Sequence, residues 1–209
     1  MLGRKLKDPY QKLRPSLETG DLVLFSGKGD IPAVIKWFSG SKWNHIGMVL
    51  NIQEWDTILL WESTILSRLK DVAEKKIKHG VQLVALSERV STYTGAVAYR
   101  KLNVTRTDEM IQSLIKFRHE VKDKPYEQSV MELIKSSIDF GGWNHKNKED
   151  LSSLFCSELI AEAYQRMGIL DESKPSNEYT PRDFTLEISG ELPLINGATL
   201  GELKIVKKG

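Results

Sequence analysis

Short apolar runs bounded by glycine, serine or polar turns recur along the chain and predict the strands of a sheet. Residues 22–25 form one such run, with the character of a buried strand. Two further runs, 45–50 and 58–64, are joined by a polar stretch, which is typical of a hairpin, and each carries a polar residue among apolar ones. Additional strands are predicted at 81–86, 96–102 and 203–206.

Helical spacing of apolar residues predicts helices in the second half of the chain. Thr107 is a good N-cap for a helix over 108–122. Ser152 or Ser153 is predicted to cap another helix, which ends at Gly168. Two further helices are predicted at 31–38 and 129–138, with a polar loop at 140–150 and an irregular tail from 175 onward.

These elements predict an α+β fold in a single domain over 1–209, with helical segments at about 107–140. The chain has 209 residues, 40% of them hydrophobic, and a net charge of +2. This balance does not favour a nucleic-acid partner. No apolar run approaches the roughly 20 residues that span a bilayer, and the first residues do not resemble a signal peptide. The single cysteine excludes an intramolecular disulfide and a thiolate zinc cluster. We therefore expect a cytoplasmic protein with no metal and no cofactor.

Cys156 is the only thiol available for chemistry. It lies three and four residues before Leu159 and Ile160, on the apolar face of the last predicted helix. A position in the first turn of that helix would stabilise a thiolate and lower the pKa of the thiol. The same position equally suits a small buried core residue.

A thiol nucleophile needs a neighbouring imidazole as its base. His45 begins an apolar strand, where it is either that base or a hydrogen-bonded structural histidine. His145 is the competitor, because it repeats the Trp-Asn-His string of positions 43–45 closer to Cys156 in the sequence. His79 and His119 are expected to be solvated.

Glu62 is the candidate for orienting His45, because it lies on the strand expected to pair with the His45 strand. A carboxylate there is costly to bury unpaired. Accepting the Nδ1–H of His45 would satisfy Glu62 and fix the tautomer of the imidazole. A glutamate at a solvated strand edge is the alternative.

Several motifs, taken in order, resemble the circularly permuted branch of the papain-like NlpC-type superfamily, which includes YiiX-like proteins and lecithin:retinol acyltransferases. The resemblance extends over most of the chain. The motifs are Gly20-Asp-Leu-Val-Leu-Phe, Trp43-Asn-His-Ile-Gly-Met-Val, Leu60-Trp-Glu-Ser, Gly80-Val-Gln-Leu-Val, Lys124-Pro-Tyr, Phe155-Cys-Ser-Glu-Leu-Ile-Ala and Tyr179-Thr-Pro-Arg-Asp-Phe.

The resemblance implies Cys156 as nucleophile, His45 as general base and Glu62 as the residue that orients the histidine. It also implies an antiparallel sheet or partial barrel against which the Cys156 helix packs. Members of the superfamily cleave amide bonds or move acyl groups through a thioester. The acyltransferase branch has its own sequence around the cysteine, and this chain departs from it.

The leading hypothesis is therefore a cysteine peptidase or amidase that acts on a small peptide or an acylated small molecule. Its acyl-enzyme is a thioester, and the backbone amide of Cys156 helps to hold the oxyanion. The alternatives are a thiol acyltransferase with a lipid or amine acceptor, and a non-catalytic module that binds a ligand or lipid. Four aromatic residues flank the motifs and either line a substrate cleft or pack in the core: Trp37, Trp43, Trp61 and Tyr179.

Overall fold

The computed structural model describes residues 9–27, 41–64, 67–122, 146–185 and 192–209, with side chains from residue 156 onward in the fourth range. The strands follow the apolar runs closely, except that the run at 96–102 is divided between two strands. They are β1 Leu22–Ser26, β2 His45–Ile52, β3 Thr57–Thr64, β4 Gly80–Ala85, β5 Ala96–Arg100, β6 Leu102–Asn103, β7 Thr199–Leu200 and β8 Lys204–Lys207.

Six of these strands form one antiparallel sheet in the order β4-β3-β2-β1-β5-β8. The predicted hairpin is confirmed, because β2 pairs with β3 along most of its length. The sheet is open, with β4 and β8 at its edges, and β6 pairs separately with β7. The predicted α+β class with an antiparallel sheet is therefore confirmed, in the open form and not as a closed barrel.

The helices of the described residues flank this sheet. Thr107 caps its helix as predicted, since its side chain accepts a hydrogen bond from the amide of Met110. The α-helices are α1 Pro9–Leu13, α2 Leu86–Thr92, α3 Asp108–Val121 and α4 Lys146–Arg166, and short 3-10 helices span Arg14–Ser16, Gln53–Trp55, Ser176–Glu178 and Pro181–Phe184.

The start of α4 corrects the sequence prediction. The helix begins at Lys146, so Ser152 and Ser153 lie inside it and do not cap it. Residues 146–150 were expected in a polar loop because all are charged or amide residues. Lysine and glutamate are nonetheless good helix formers, and a solvated turn needs no apolar residue. Cys156 consequently lies in the interior of α4 and not in its first turn.

Two other predicted helices, at 31–38 and 129–138, lie outside the described residues, as do Trp37 and His145. No helix in the described ranges combines the length and apolar character needed to cross a membrane.

Alternate residues of the central strands supply two separate apolar layers, as the two-residue period of a strand requires. On one face, Ile46, Met48 and Trp61 pack with Cys156 of α4 and with residues of α3. On the other face, residues such as Phe25 pack with side chains of α1 and α2. The sheet is therefore buried on both sides.

Hydrogen bonds from buried side chains fix α4 against the rest of the fold. Tyr164 donates its hydroxyl to the carbonyl of Gly20 at 2.7 Å. Ser157, next to the cysteine, donates to the carbonyl of Tyr179 at 2.6 Å. The helix ends at Arg166, just before the predicted stop at Gly168, which adopts a φ of 68° that suits glycine. These contacts hold Cys156 at a defined place above β2 and β3.

A buried carboxylate joins the start of β1 to later parts of the chain. Asp21 accepts hydrogen bonds from the Tyr99 hydroxyl at 2.7 Å, the Leu102 amide at 3.0 Å and the Arg106 guanidinium at 3.0 Å. Burial raises the pKa of Asp21, although these donors act in the opposite direction. The Gly20-Asp21 motif is therefore a structural anchor of the sheet.

Candidate active site

His45 and Glu62 meet across the β2–β3 hairpin. Glu62 lies opposite Gly47 in the register, so it is diagonal to His45 on the same face of the sheet. The Nε2 of His45 is 2.6 Å from Oε2 of Glu62, and both side chains are buried. Gly47 leaves the space between them open, because a Cβ there would lie 3.2 Å from the Cβ of Glu62 and 2.9 Å from Cδ1 of Leu60.

The nitrogen that faces Glu62 corrects the sequence prediction, which expected Nδ1. The positions of His45 and Glu62 on two strands do not determine how the ring turns about χ2, and the structure brings Nε2 to the carboxylate. A neutral His45 that donates from Nε2 has its lone pair on Nδ1. Nδ1 is therefore the nitrogen that can accept a proton.

Glu62 has two further buried partners that sequence reasoning missed. Gln82 donates from Nε2 to Oε1 of Glu62 at 2.7 Å. The Nε of Arg89 lies 3.0 Å from Oε1 and 3.2 Å from Oε2 of Glu62. Gln82 interrupts an apolar strand directly opposite Glu62 in the register, a signal that could have identified it. Arg89 lies in a short polar helix and gives no such signal.

These partners determine the charge of Glu62. Complete burial would raise the pKa of its carboxyl group, but the Arg89 cation and the hydrogen bond from His45 lower it to about 2. Glu62 is consequently ionised across the neutral range, and it remains so without contact with water.

Aromatic rings pack around the same group. The Phe25 ring lies 5.4 Å from that of His45. The Arg89 guanidinium lies 4.8 Å from the centre of the Phe25 ring and 5.2 Å from that of Tyr93. Both the imidazole and the guanidinium therefore pack against aromatic rings as well as against the carboxylate.

Cys156 reaches this site from α4. Its sulfur, which is completely buried, receives a hydrogen bond from the backbone amide of Ile46, the residue after His45. The paired register of β2 and β3 begins only at Gly47, one residue further along the strand. The Cys156 side chain therefore lies beside the backbone of the His45 strand and within electrostatic range of Glu62, on the sheet face that carries Ile46, whereas the His45 and Glu62 side chains lie on the face that carries Phe25.

The ionisation of Cys156 also differs from the sequence prediction of a lowered pKa. Burial raises the pKa of the thiol to about 12, and the Glu62 carboxylate adds to the increase while the Ile46 amide opposes it. Because α4 begins well before the cysteine, the thiol does not lie at a helix N-terminus, and the backbone hydrogen bonds of Ser157 and Cys156 lower its pKa less than burial raises it. The resting thiol is therefore protonated.

The remaining predicted residues fall into two groups. Trp43, Trp61 and Tyr179 are each only 1% exposed, and the Trp61 ring packs edge-on against Phe117 at 5.7 Å. They are core residues in this structure. The described histidines outside the site, at positions 79 and 119, are exposed as expected. Within the described ranges, no three histidine, cysteine, aspartate or glutamate side chains form a group that could hold a metal ion.

Comparison with known proteins agrees with the sequence resemblance. The crystal structure of the metalloprotein YiiX from Escherichia coli O157:H7 is similar, with 17% identity and a TM-score of 0.46, over 92% of this chain and 98% of that one. No curated protein matches the chain. The family described as permuted papain-like amidase enzyme, YaeF/YiiX, C92 family, matches residues 16–176. Because the match covers well over half of the sequence, the chain belongs to this family of permuted papain-like amidases.

Proposed function

We propose that the protein is a cysteine amidase in which Cys156 is the nucleophile, His45 the general base and Glu62 the residue that orients the base. The observations that carry the proposal are the buried 2.6 Å contact between Nε2 of His45 and Glu62, and the hydrogen bond between the Cys156 sulfur and the backbone of Ile46, the residue after His45. A thiol, an imidazole and a group that orients the imidazole are the set used in covalent catalysis by cysteine enzymes.

The first step is removal of the thiol proton. Because burial keeps Cys156 protonated, the nucleophile has to be generated by a base. Nδ1 of His45 takes that proton as the sulfur attacks the substrate carbonyl. The resulting imidazolium is stabilised by Glu62, which is already ionised and hydrogen-bonded to the opposite nitrogen.

Backbone groups of Ile46, Ser157 and Cys156 form hydrogen bonds that lower the pKa of the thiol. The amide of Cys156, predicted to hold the oxyanion, lies inside α4, where helical N–H groups bond the carbonyl four residues earlier. The amide of Ile46 instead points at the sulfur and stabilises negative charge there as it develops. We therefore assign to Ile46 the role of supporting the thiolate.

Collapse of the tetrahedral intermediate completes acylation. The carbon–nitrogen bond of the amide breaks, the amine leaves with the proton from His45, and the acyl group remains on Cys156 as a thioester. His45 then takes a proton from water, whose oxygen attacks the thioester carbonyl. The carboxylic acid leaves, and the proton returns to the sulfur. Small soluble peptides and acylated small molecules are the proposed substrates.

A panel of chromogenic amides and esters tests this proposal. We expect Cys156→Ser and His45→Ala each to lower kcat/KM by about 10³-fold or more, since both remove a reacting group. His79→Ala and His119→Ala, at exposed positions, are matched controls that should retain activity. Activity that survives both active-site substitutions would contradict the proposal.

Two variations of the same assay separate the alternatives. His145→Ala tests the other Trp-Asn-His string, and a loss there with none in His45→Ala would reassign the base. Added amine, glycerol or phospholipid acceptors test for transfer. Hydrolysis predicts the free acid as the main product, whereas an acyltransferase would form the acylated acceptor in preference to the acid.

A further inference from the structure

We propose that Arg89 is a positioning residue of this site: it holds Glu62 in place and balances its charge, so that an ionised carboxylate stays fixed beside His45. The inference rests on the proposed function, because it assigns a role toward the same nucleophile and base. It adds a residue that the sequence motifs do not contain.

The placement of Arg89 supports this role. Its Nε spans both oxygens of Glu62, at 3.0 and 3.2 Å. The rings of Phe25 and Tyr93 lie against the guanidinium, and the side chain is only 10% exposed. A guanidinium fixed by a carboxylate and two rings has little freedom to leave, so its charge acts on the site from one defined position.

The charges of the neighbours give the direction of the effect. Burial of Glu62 would raise the pKa of its carboxyl group. The positive charge of Arg89, which lies against both carboxylate oxygens, opposes this increase and favours the ionised carboxylate that His45 contacts.

Few other titratable groups face His45 and Glu62 in the described part of the chain. Helix α2 contributes Arg89, and Tyr93 follows it. Helix α4 contributes Cys156, while the neighbouring strands contribute Phe25 and Gln82, which carry no charge. The Lys207 ammonium of β8 binds the carbonyls at the end of α2, including that of Val90 at 3.0 Å. Arg89 is therefore the cation that contacts the carboxylate directly.

Gln82 supplies a second, independent indication that this cluster is organised around Glu62. Its Nε2 donates to the carboxylate, whereas its buried Oε1 has no hydrogen-bond partner among the described residues. A buried acceptor without a partner lowers stability. An apolar residue would avoid that cost, so the amide is explained by the donor that it provides to Glu62.

The test measures the free energy of unfolding by urea between about pH 7 and 2, which needs no substrate. The pH dependence of this free energy, called the profile below, reports the pKa of Glu62 in the folded protein. The Arg89 cation lowers that pKa. In Arg89→Met we therefore expect the acid-induced loss of stability to begin about 1 to 3 pH units higher than in the wild type.

Three further variants separate a charge effect from a packing effect. Arg100→Met removes another buried arginine, which binds only backbone carbonyls, and should lower stability without moving the profile. Arg89→Lys keeps the charge and should restore the wild-type profile. Glu62→Gln should remove this part of the pH dependence, and adding Arg89→Met to it should not change the pH dependence further.

An unchanged profile in folded Arg89→Met, or equal shifts in Arg89→Met and Arg100→Met, would overturn the inference. If Arg89→Met does not fold, Arg89→Lys carries the test, and a profile displaced from that of the wild type would equally overturn the inference. Failure of the proposed function is distinguishable. Shifts with the expected signs in a protein that cleaves none of the amides or esters would leave the role of Arg89 intact and reject the amidase.

Discussion

The buried carboxylate of Glu62 makes the stability of the protein depend on acid in a defined way. Its pKa falls from an ordinary value of 4.5 to about 2 in the folded protein. The folded state therefore binds fewer protons than the unfolded state between these values. The stabilisation is complete above the unfolded pKa and is lost as the pH falls through the folded one.

The size of the effect follows from the shift. A difference of about 2.5 units corresponds to about 3 kcal/mol of unfolding free energy, at about 1.4 kcal/mol per unit. In Glu62→Gln the group no longer titrates, so this contribution to the acid sensitivity disappears. The variant is also less stable at neutral pH, because it leaves the Arg89 charge buried without a counterion.

Urea unfolding of the wild type and Glu62→Gln across about pH 7 to 2 measures the difference, because other carboxylates titrate equally in both. Glu74→Gln is a matched control. The carboxylate of Glu74 also has a pKa lowered to about 2, by hydrogen bonds from Lys76 and Lys78, but it lies at the surface. Its contribution should fade in about 0.5 M salt, whereas that of Glu62 should persist. Identical acid sensitivity in the wild type and Glu62→Gln would refute the reasoning.

Three substitutions elsewhere test how the fold supports the site. Gly47→Ala should lower the free energy of unfolding by about 1–2 kcal/mol and should lower kcat/KM, because the new Cβ would press on Leu60 and on the gap between His45 and Glu62. Wild-type values in urea unfolding and in the amide assay would contradict this prediction. Asp21→Asn should cost about 2–4 kcal/mol in urea unfolding, since it removes a completely buried carboxylate that Tyr99, Leu102 and Arg106 all hydrogen-bond. Ser157→Ala should lower the free energy of unfolding by about 1 kcal/mol, because it removes the hydrogen bond to the Tyr179 carbonyl. The midpoint of thermal unfolding should fall, and an unchanged midpoint would show that this hydrogen bond contributes nothing to stability.

The sequence predicts the framework of the site better than its electrostatics. The apolar runs around His45 and Glu62 identify two strands, and the polar stretch between them predicts the hairpin that pairs them. Register follows from burial of alternate residues, so the approach of the carboxylate to the histidine can be anticipated. Which nitrogen of the His45 ring faces Glu62 cannot be anticipated in this way, because it depends on packing of the ring against Phe25.

Features that depend on distant parts of the chain escape local patterns. Arg89 reaches Glu62 from a helix that follows β4, and nothing in its own neighbourhood distinguishes it from a solvated arginine. The first turns of α4 are polar enough to resemble a loop, so the sequence predicts the start of the helix too late. The prediction of a lowered pKa for the Cys156 thiol depended on that late start and is wrong for the same reason. The pKa of a thiol depends on burial and neighbouring charge in three dimensions, which sequence position alone does not specify.

The central claim is that acyl transfer passes through a covalent bond to Cys156. Intact-protein mass spectrometry of the enzyme, acid-quenched during turnover of an activated ester or amide, tests it most directly. The account predicts a mass increase of one acyl group on the Cys156 peptide, its removal by hydroxylamine, and its absence in Cys156→Ser. Continued turnover by Cys156→Ser, with no adduct on the wild-type thiol, would contradict the account.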